Sequence, residues 1–424
     1  MNICMLTRAL PAQTKGGVPD HTLMLAGGLT TRGHRVHIVT TRLGGVGAPV
    51  REGDLTIHYL PDTRQGEYAG GWWKESALAT RALHAVERFD IIHCQSSAGY
   101  GVVNTGLHLE LGIPALVSQH GTYYDELVTR WRRGFSADPV RSAKNLAAMS
   151  FILGVMFRRD RPYLKRATGV IATSEEQYSL IRRVYGVPER RLFRVWNGMD
   201  LSLFTPGMAS GRIRRKMGIE PDAPLLLVVA RCIRDKGIQN ILRAMPEILS
   251  RVPGCRLLII GEGPDRSRLE RMAAGVGTAV IFGGEAGLGE LPDYFRECDI
   301  FVNPTNQQNG YDLTMVEAMA CGKTVVSSDI GSTPTLITHG VDGVMFPAAD
   351  AGILAQEIIG LLGDPARRTQ LGSNARRKVV GGFDLGTMVS GTIGVYEKLL
   401  AAAGGDAARH GSIHGQRRGS QETG

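Results

Sequence analysis

Short apolar or β-branched runs recur along the first part of the chain at residues 3–6, 36–40, 91–94, 115–118 and 170–172, with helix-spaced apolar positions between most of them. Strand-length runs alternating with helical stretches predict βαβ units and a parallel sheet. A second series follows Pro206, at 225–230, 257–260, 280–282, 300–303 and 324–327, again separated by helical patterns such as 238–252. The pattern therefore predicts two doubly wound α/β halves, residues 1–205 and 206–403. Pro, Gly, Ser and an Arg/Lys cluster interrupt the periodicity across 206–224, where the joint is expected. After a helical stretch at 385–403, residues 404–424 are almost free of apolar side chains and predict a disordered tail. One further run, 146–157, is apolar around most of a helix and is followed by arginines at 158, 159 and 161. An interfacial helix needs a broad polar face, so this run reads as a buried core helix.

Composition narrows the class. With 424 residues, 43% of them apolar and 21% charged, the chain has the profile of a soluble globular protein that can bury large cores. A net charge of +9 over that length is too dilute to predict a nucleic-acid binder. The six cysteines form no C-x-x-C pair, which argues against a zinc ribbon or disulfide framework and suits a reducing cytoplasm. The apolar N-terminal stretch is too short for a signal peptide, and no run reaches the roughly 18 apolar residues of a membrane span. A cytoplasmic protein is expected. Forty arginines against nine lysines point to a GC-rich bacterial source.

In open parallel sheets ligands bind beyond the carboxyl ends of the strands, so chemistry is sought just after each apolar run. Residues 15–18 (KGGV) lie between the first strand and a helix; glycines there let a backbone approach a ligand, and the helix start favours an anion. After the strand at 225–230 come Arg231 and Lys236, two cations able to clamp a diphosphate and meet charge on a leaving group. Residues 309–323 pass from a polar loop into a helix whose first turn carries Leu313 and Thr314, with Glu317 one turn on. Free amides there suit phosphates, and the carboxylate can accept from a ribose diol. Each has a plainer structural alternative: a loop needing positive φ, a solvated basic turn, a helix start with a dipole-favoured acid.

Taken together and in order, these segments resemble the retaining glycosyltransferases of the GT-B fold, family 4, relatives of glycogen synthase and sucrose-phosphate synthase. The resemblance is carried by KGGV (15–18), DIIH (90–93), VSQHG (117–121), WNGMDLSLF (196–204), ARCIRDKG (230–237), IGEGP (260–264) and GYDLTMVEAMACGKTVV (310–326). It implies two Rossmann-like domains facing a central cleft, the first binding acceptor and the second a nucleotide sugar, with the C-terminal helix crossing back to the first domain. It further implies that Gly16 and Gly17 face the donor diphosphate and that His120 lies beside the donor sugar. Arg231 and Lys236 would hold the diphosphate, backbone at Leu313 and Thr314 would cap it, and Glu317 would bind the ribose. The co-substrate implied is a UDP-linked sugar, with no metal and no other cofactor; the sequence carries no Asp-x-Asp motif of the kind that holds a metal beside a nucleotide. The expected course is same-face displacement, the donor phosphate taking the acceptor proton.

One position departs from the family. The usual pair of glutamates is replaced by Asn309 and Glu317, which opens the donor to an unusual or amino-substituted hexose such as kanosamine. Residues 5–23 further resemble glycosyltransferases of aminoglycoside-antibiotic assembly in actinomycetes, which implies a 2-deoxystreptamine pseudodisaccharide acceptor. Such a polycation needs acidic neighbours, for which Asp20, Asp125 and Glu126 are the candidates. The partners expected are thus a small-molecule donor and acceptor, with no nucleic acid and no membrane, and the oligomeric state is left open. The alternatives are transfer to a membrane lipid or polysaccharide, isomerisation or hydrolysis of a nucleotide sugar without an acceptor, and a non-catalytic nucleotide-sugar binder.

Overall fold

The computed structural model describes residues 1–416 apart from 15, 69–70, 133–138, 288 and 308–311. The chain divides into two compact units. Met1–Tyr124, Leu146–Asn197 and everything from Leu385 onward form the first; Asp125–Asn145 and Gly198–Asp384 form the second. The units differ from a simple division into 1–205 and 206–403 in that Asp125–Asn145 and Gly198 onward group with the second unit and the last helix with the first.

In the first unit, strands β1 (Asn2–Leu6), β2 (Arg35–Thr41), β3 (Val50–Glu52), β4 (Leu55–Leu60), β5 (Ile91–Gln95), β6 (Ala115–Gln119), β7 (Gly169–Ala172) and β8 (Leu192–Arg194) make one sheet in the order β3-β4-β2-β1-β5-β6-β7-β8. All pairs are parallel except the antiparallel edge pair β3/β4. Register places Ile3 opposite Val36 on β2 and Ile91 on β5. Successive β1 residues enter opposite cores, Cys4 and Leu6 one, Ile3 and Met5 the other. A sheet buried on both faces needs such unbroken apolar strands, which is why they were visible as runs.

The second of those cores is completed from the far end of the chain. Helix Leu385–Gln416 contributes Met388, Val389, Val395, Tyr396 and Leu399, all buried against Ile3, Met5 and Leu116. At about 1.5–3 kcal/mol for each large apolar side chain removed from water, this helix is a principal part of the unit's stability. It packs on helix Gly17–Thr30 closely enough that a Cβ on Gly28 would stand 2.4 Å from Val389 Cγ2. The Tyr396 hydroxyl lies 2.7 Å from His93 Nδ1 inside the core. The helix also runs past Ala403, through part of the segment expected to be disordered. Alanines at 401–403, 407 and 408 favour its continuation.

The second unit's sheet comprises β9 (Leu225–Val229), β10 (Arg256–Ile260), β11 (Val280–Phe282), β12 (Ile300–Asn303), β13 (Thr324–Ser328) and β14 (Val344–Phe346). Every pair is parallel, in the order β11-β10-β9-β12-β13-β14. This is the doubly wound order, whose winding direction reverses between β9 and β12 and leaves a crevice at their carboxyl ends. The first sheet reverses likewise between β1 and β5.

The reading of 146–157 as a core helix is overturned. Within helix Pro139–Val155 and the wide turn Met156–Asp160 that continues it, only Ile152 and Met156 of that run are buried, while Leu146, Phe151, Leu153 and Phe157 face outward. An apolar run does not report which of its faces finds a partner. Among the described residues, no helix is long and apolar enough to cross a membrane.

Candidate functional site

The second unit's part of the site grows from the switch point of its sheet. β9 ends and the chain passes through Ala230 to Arg231, whose side chain is exposed and makes no ion pair with a described residue. A single turn, Arg234–Lys236, then closes on Gly237 at φ +67°, where a Cβ would stand 1.8 Å from the Pro304 carbonyl oxygen. Only glycine lets this loop press against the exit of β12. Lys236 is thereby held with Nζ 2.6 Å from Asp312 Oδ1. Asn303, the last residue of β12, donates through Nδ2 to Asp312 Oδ2 at 3.0 Å and to Ser327 Oγ at 3.2 Å. Burial pushes the Asp312 carboxyl up, but the Lys236 charge and the hydrogen bonds from Lys236 and Asn303 outweigh it, so its pKa falls below the usual carboxylate value. Asp312 is an anion at neutral pH, and the lysine expected as a phosphate clamp already has a partner.

Asp312 also stands at the start of helix Leu313–Ala320, and no described side chain caps that start. The first-turn amides of Leu313 and Thr314 therefore carry the partial positive charge of a helix N-terminus. Glu317 is buried on the same helix, 6% exposed. Asn309 and Lys15 lie outside the described residues. One exposed cation, one paired cation, an uncapped helix start and a buried carboxylate thus share the loops that leave β9 and β12. Asp312 and Asn303 were missed from sequence; the signal was present in GYDLT, where the aspartate immediately precedes the helix.

In the first unit, Gly16 and Gly17 are exposed at the start of helix Gly17–Thr30, with the Gly16 carbonyl accepting from the Asp20 amide at 3.2 Å. Asp20 is exposed in the first turn. His120 follows β6 and is buried, with Nε2 2.8 Å from Gln95 Oε1 at the end of β5. With the amide so placed, Nε2–H donates and Nδ1 is left as the acceptor nitrogen. The His120 ring meets the His21 ring edge-on at 4.4 Å, and His21 is buried with neither nitrogen hydrogen-bonded to a described residue. Burial lowers the His120 pKa to about 4 and that of His93 to about 3, and it holds His21 well below the ordinary imidazole value, with His120 and His93 adding to it. His120 is therefore a neutral hydrogen-bonding group at neutral pH. Gln95 and His21 were not legible as site residues, because neither falls in a recurrent spacing.

The three acidic candidates are divided between the two units. Asp20 belongs to the first unit, whereas Asp125 and Glu126, in the first turn of helix Tyr123–Arg132, group with the second. Asp125 is buried, and the Glu126 carboxylate lies 3.1 Å from Arg130. Asp20 and Glu126 keep exposed carboxylates, and that of Glu126 is paired with Arg130. Among the described residues, no group of three His, Cys, Asp or Glu side chains is disposed to hold a metal ion.

Residues 15–203 match the model of Glycosyltransferase Family 4, and residues 223–364 match that of Glycosyl transferases group 1. Between them the matches span most of the chain. The protein is a glycosyltransferase of the family 4 and group 1 superfamily. The glycosyltransferase is 29% identical to D-inositol 3-phosphate glycosyltransferase 2 of Catenulispora acidiphila, over 70% of this chain and 68% of that one. Its fold matches sucrose-phosphate synthase from Thermosynechococcus elongatus with a TM-score of 0.77 at 22% identity, covering 95% and 99% of the two chains. The Anabaena protein HepE in complex with UDP-glucose matches at a TM-score of 0.69 and 18% identity, over 95% and 100%. These likenesses make the glycosyltransferase's architecture GT-B, with the two sheets described above as its two Rossmann-like domains.

Proposed function

We propose that the enzyme moves a hexosyl group from a UDP-linked sugar to a hydroxyl of a cyclitol acceptor, with retention at the anomeric carbon. The observation that carries this reading is the cationic and helix-start cluster at the β9/β12 switch point. There Arg231, Lys236 and the amides of Leu313 and Thr314 meet the charge that grows on the departing diphosphate, and Glu317 accepts from the ribose diol. In the step itself, the bond between the anomeric carbon and the diphosphate oxygen breaks. The acceptor oxygen bonds to that carbon from the same face, and the acceptor proton passes to the phosphate oxygen that leaves. Neutral His120 hydrogen-bonds the donor sugar without adding charge. Because the leaving-group charge is met by side chains and amides, turnover persists in EDTA.

The cyclitol proposal joins two supports. The N-terminal resemblance implies an aminocyclitol, 2-deoxystreptamine, within a pseudodisaccharide, and the Catenulispora relative is named for an inositol phosphate. Both acceptors present hydroxyls around a six-membered carbocycle. With Asp125 buried and Glu126 paired with Arg130, Asp20 is the one exposed carboxylate of the acidic set without a described ion-pair partner, so charge recognition of a polyamine is weak and hydroxyl recognition carries the specificity. Asn309 in place of the family's carboxylate favours an amino-substituted donor hexose. The test is incubation with UDP- and GDP-hexoses, each with inositol 3-phosphate, with a 2-deoxystreptamine pseudodisaccharide, or with no acceptor, read by mass spectrometry. Product mass equal to acceptor plus hexosyl, and axial linkage geometry by NMR, is the expected result. Sugar released or isomerised equally without acceptor overturns the transfer reading.

A further inference from the structure

A second ligand-shaped feature lies in the first unit, on residues that the transfer reading does not use. A groove of about 650 Å³ runs beside helix Trp72–Glu87, floored by Trp73, Ala77, Leu78, Tyr100 and Leu107. Its rim carries Lys74, Arg81, Arg158, Arg159 and Arg166. The one carboxylate in its lining, Glu110, is taken up by Arg81. The remaining four cations have no acidic partner among the described residues. Arg159 stacks over the Trp73 ring at 5.2 Å, so the guanidinium stays at the rim with its charge available.

The chain reaches that rim through the misread segment 146–157. Leu146, Phe151, Leu153 and Phe157 point outward immediately before Arg158 and Arg159, with Phe151 71% and Phe157 51% exposed. Two phenylalanines and two leucines are held in water beside a row of arginines, and of the four only Phe157 has a described ring contact, with Arg161 6.0 Å from its centroid. The same combination is stabilised where an apolar layer underlies a layer of negative charge: acyl chains take the phenylalanines, and phosphate headgroups take the arginines. Neutral apolar protein surfaces satisfy only half of it. We infer that this face docks the enzyme on anionic phospholipid bilayers as a peripheral protein, with a lipid headgroup seated at the groove rim.

The inference is independent of the acceptor proposed above and is tested apart from it. The full chain is sedimented with phosphatidylcholine vesicles, with and without phosphatidylglycerol, over a salt series. Binding to the phosphatidylglycerol vesicles alone, lost progressively with salt, is expected. Arg158→Gln and Arg159→Gln each weaken it about fivefold, and Phe151→Ser with Phe157→Ser abolishes it. Turnover of a soluble acceptor in the absence of vesicles stays unchanged in all of these variants. No sedimentation with either vesicle, equal sedimentation with both, or variants that bind like the parent overturn the inference. So does a solution dimer that Phe151→Ser and Phe157→Ser dissociate, since the face would then be covered by a second copy.

Discussion

The Lys236 ammonium and the Asp312 carboxylate face each other at 2.6 Å, on loops that leave different strands of the same sheet. The pair fixes the lysine before any ligand arrives and ties the loop after β9 to the start of helix Leu313–Ala320. It also means that the two cations of this loop are energetically unlike. Arg231 is exposed and has no such tie among the described residues.

Removing each cation separates the two roles. Arg231→Ala lowers kcat by about 10²-fold with the melting temperature unchanged. Lys236→Ala lowers kcat similarly but also costs about 2–3 kcal/mol of stability, somewhat less than the loss for breaking a fully buried pair, because Asp312 keeps its charge without its partner. Lys236→Ala with Asp312→Ala regains stability and not turnover. Thermal denaturation beside steady-state kinetics reads both quantities. Equal stability in Lys236→Ala and Arg231→Ala would remove the pair's structural role.

Buried histidines give the first unit an acid limit. An unfolded imidazole titrates near 6.5, whereas His120 titrates at about 4 and His93 at about 3 in the fold. As pH falls below about 6.5 the unfolded chain takes up protons that the folded chain refuses, so stability is complete above that pH. It is lost as pH drops towards 4 and then 3. Each such group contributes a slope of about 1.4 kcal/mol per pH unit. Melting temperature measured from pH 7 to pH 4 should fall, and His120→Gln should make that fall shallower. A profile identical in the variant would show that His120 is not among the groups responsible.

Gly237 should tolerate no side chain. At φ +67° with the Pro304 oxygen in the way, Gly237→Ala must shift the loop that carries Lys236. The expected loss is about 1–3 kcal/mol, with a larger fall in kcat than in donor affinity. Full activity in the alanine variant would mean that the loop has freedom the close contact denies it.

The bond between Tyr396 and His93 is a stability contact and not a catalytic one. Tyr396→Phe removes the hydroxyl from a buried histidine nitrogen and should cost roughly 1–2 kcal/mol, seen as a lower melting temperature with kcat unaltered. A change in kcat at constant stability would instead link this part of the core to the reaction.

Where the sequence could be read, packing had left a periodic trace. The ten strands expected from apolar runs all form, and all but the half-buried edge strand β11 are buried along nearly their whole length. β3, β4, β8 and β14 were missed, the first three for local reasons. β3 is a fully exposed edge of Val, Arg and Glu; β8 is a short edge strand ending in Arg194; Leu55–Leu60 alternates with Thr, His and Tyr in a way that short loops also do; and β14, no shorter than β11, has no such reason. Cations and helix starts were legible because they follow strands. Asp312 was not, because a carboxylate beside a lysine in space is separated from it by 76 positions in the chain. The outward face of 146–157 was hidden for a complementary reason: hydrophobic content predicts the wish for cover, and the sequence does not say what supplies it.

Helix Leu385–Gln416 has a further consequence for how the polypeptide comes into being. One apolar face of the first unit's sheet, otherwise covered by helix Gly17–Thr30, lacks the rest of its cover until the segment from Leu385 has been translated. The nascent chain must therefore carry Ile3, Met5 and Leu116 unsealed past the synthesis of an entire second unit. An N-terminal fragment ending at Asn197 would be permanently in that condition. Holdase chaperones should find it, whereas the same fragment supplied in trans with a peptide beginning at Leu385 should escape them.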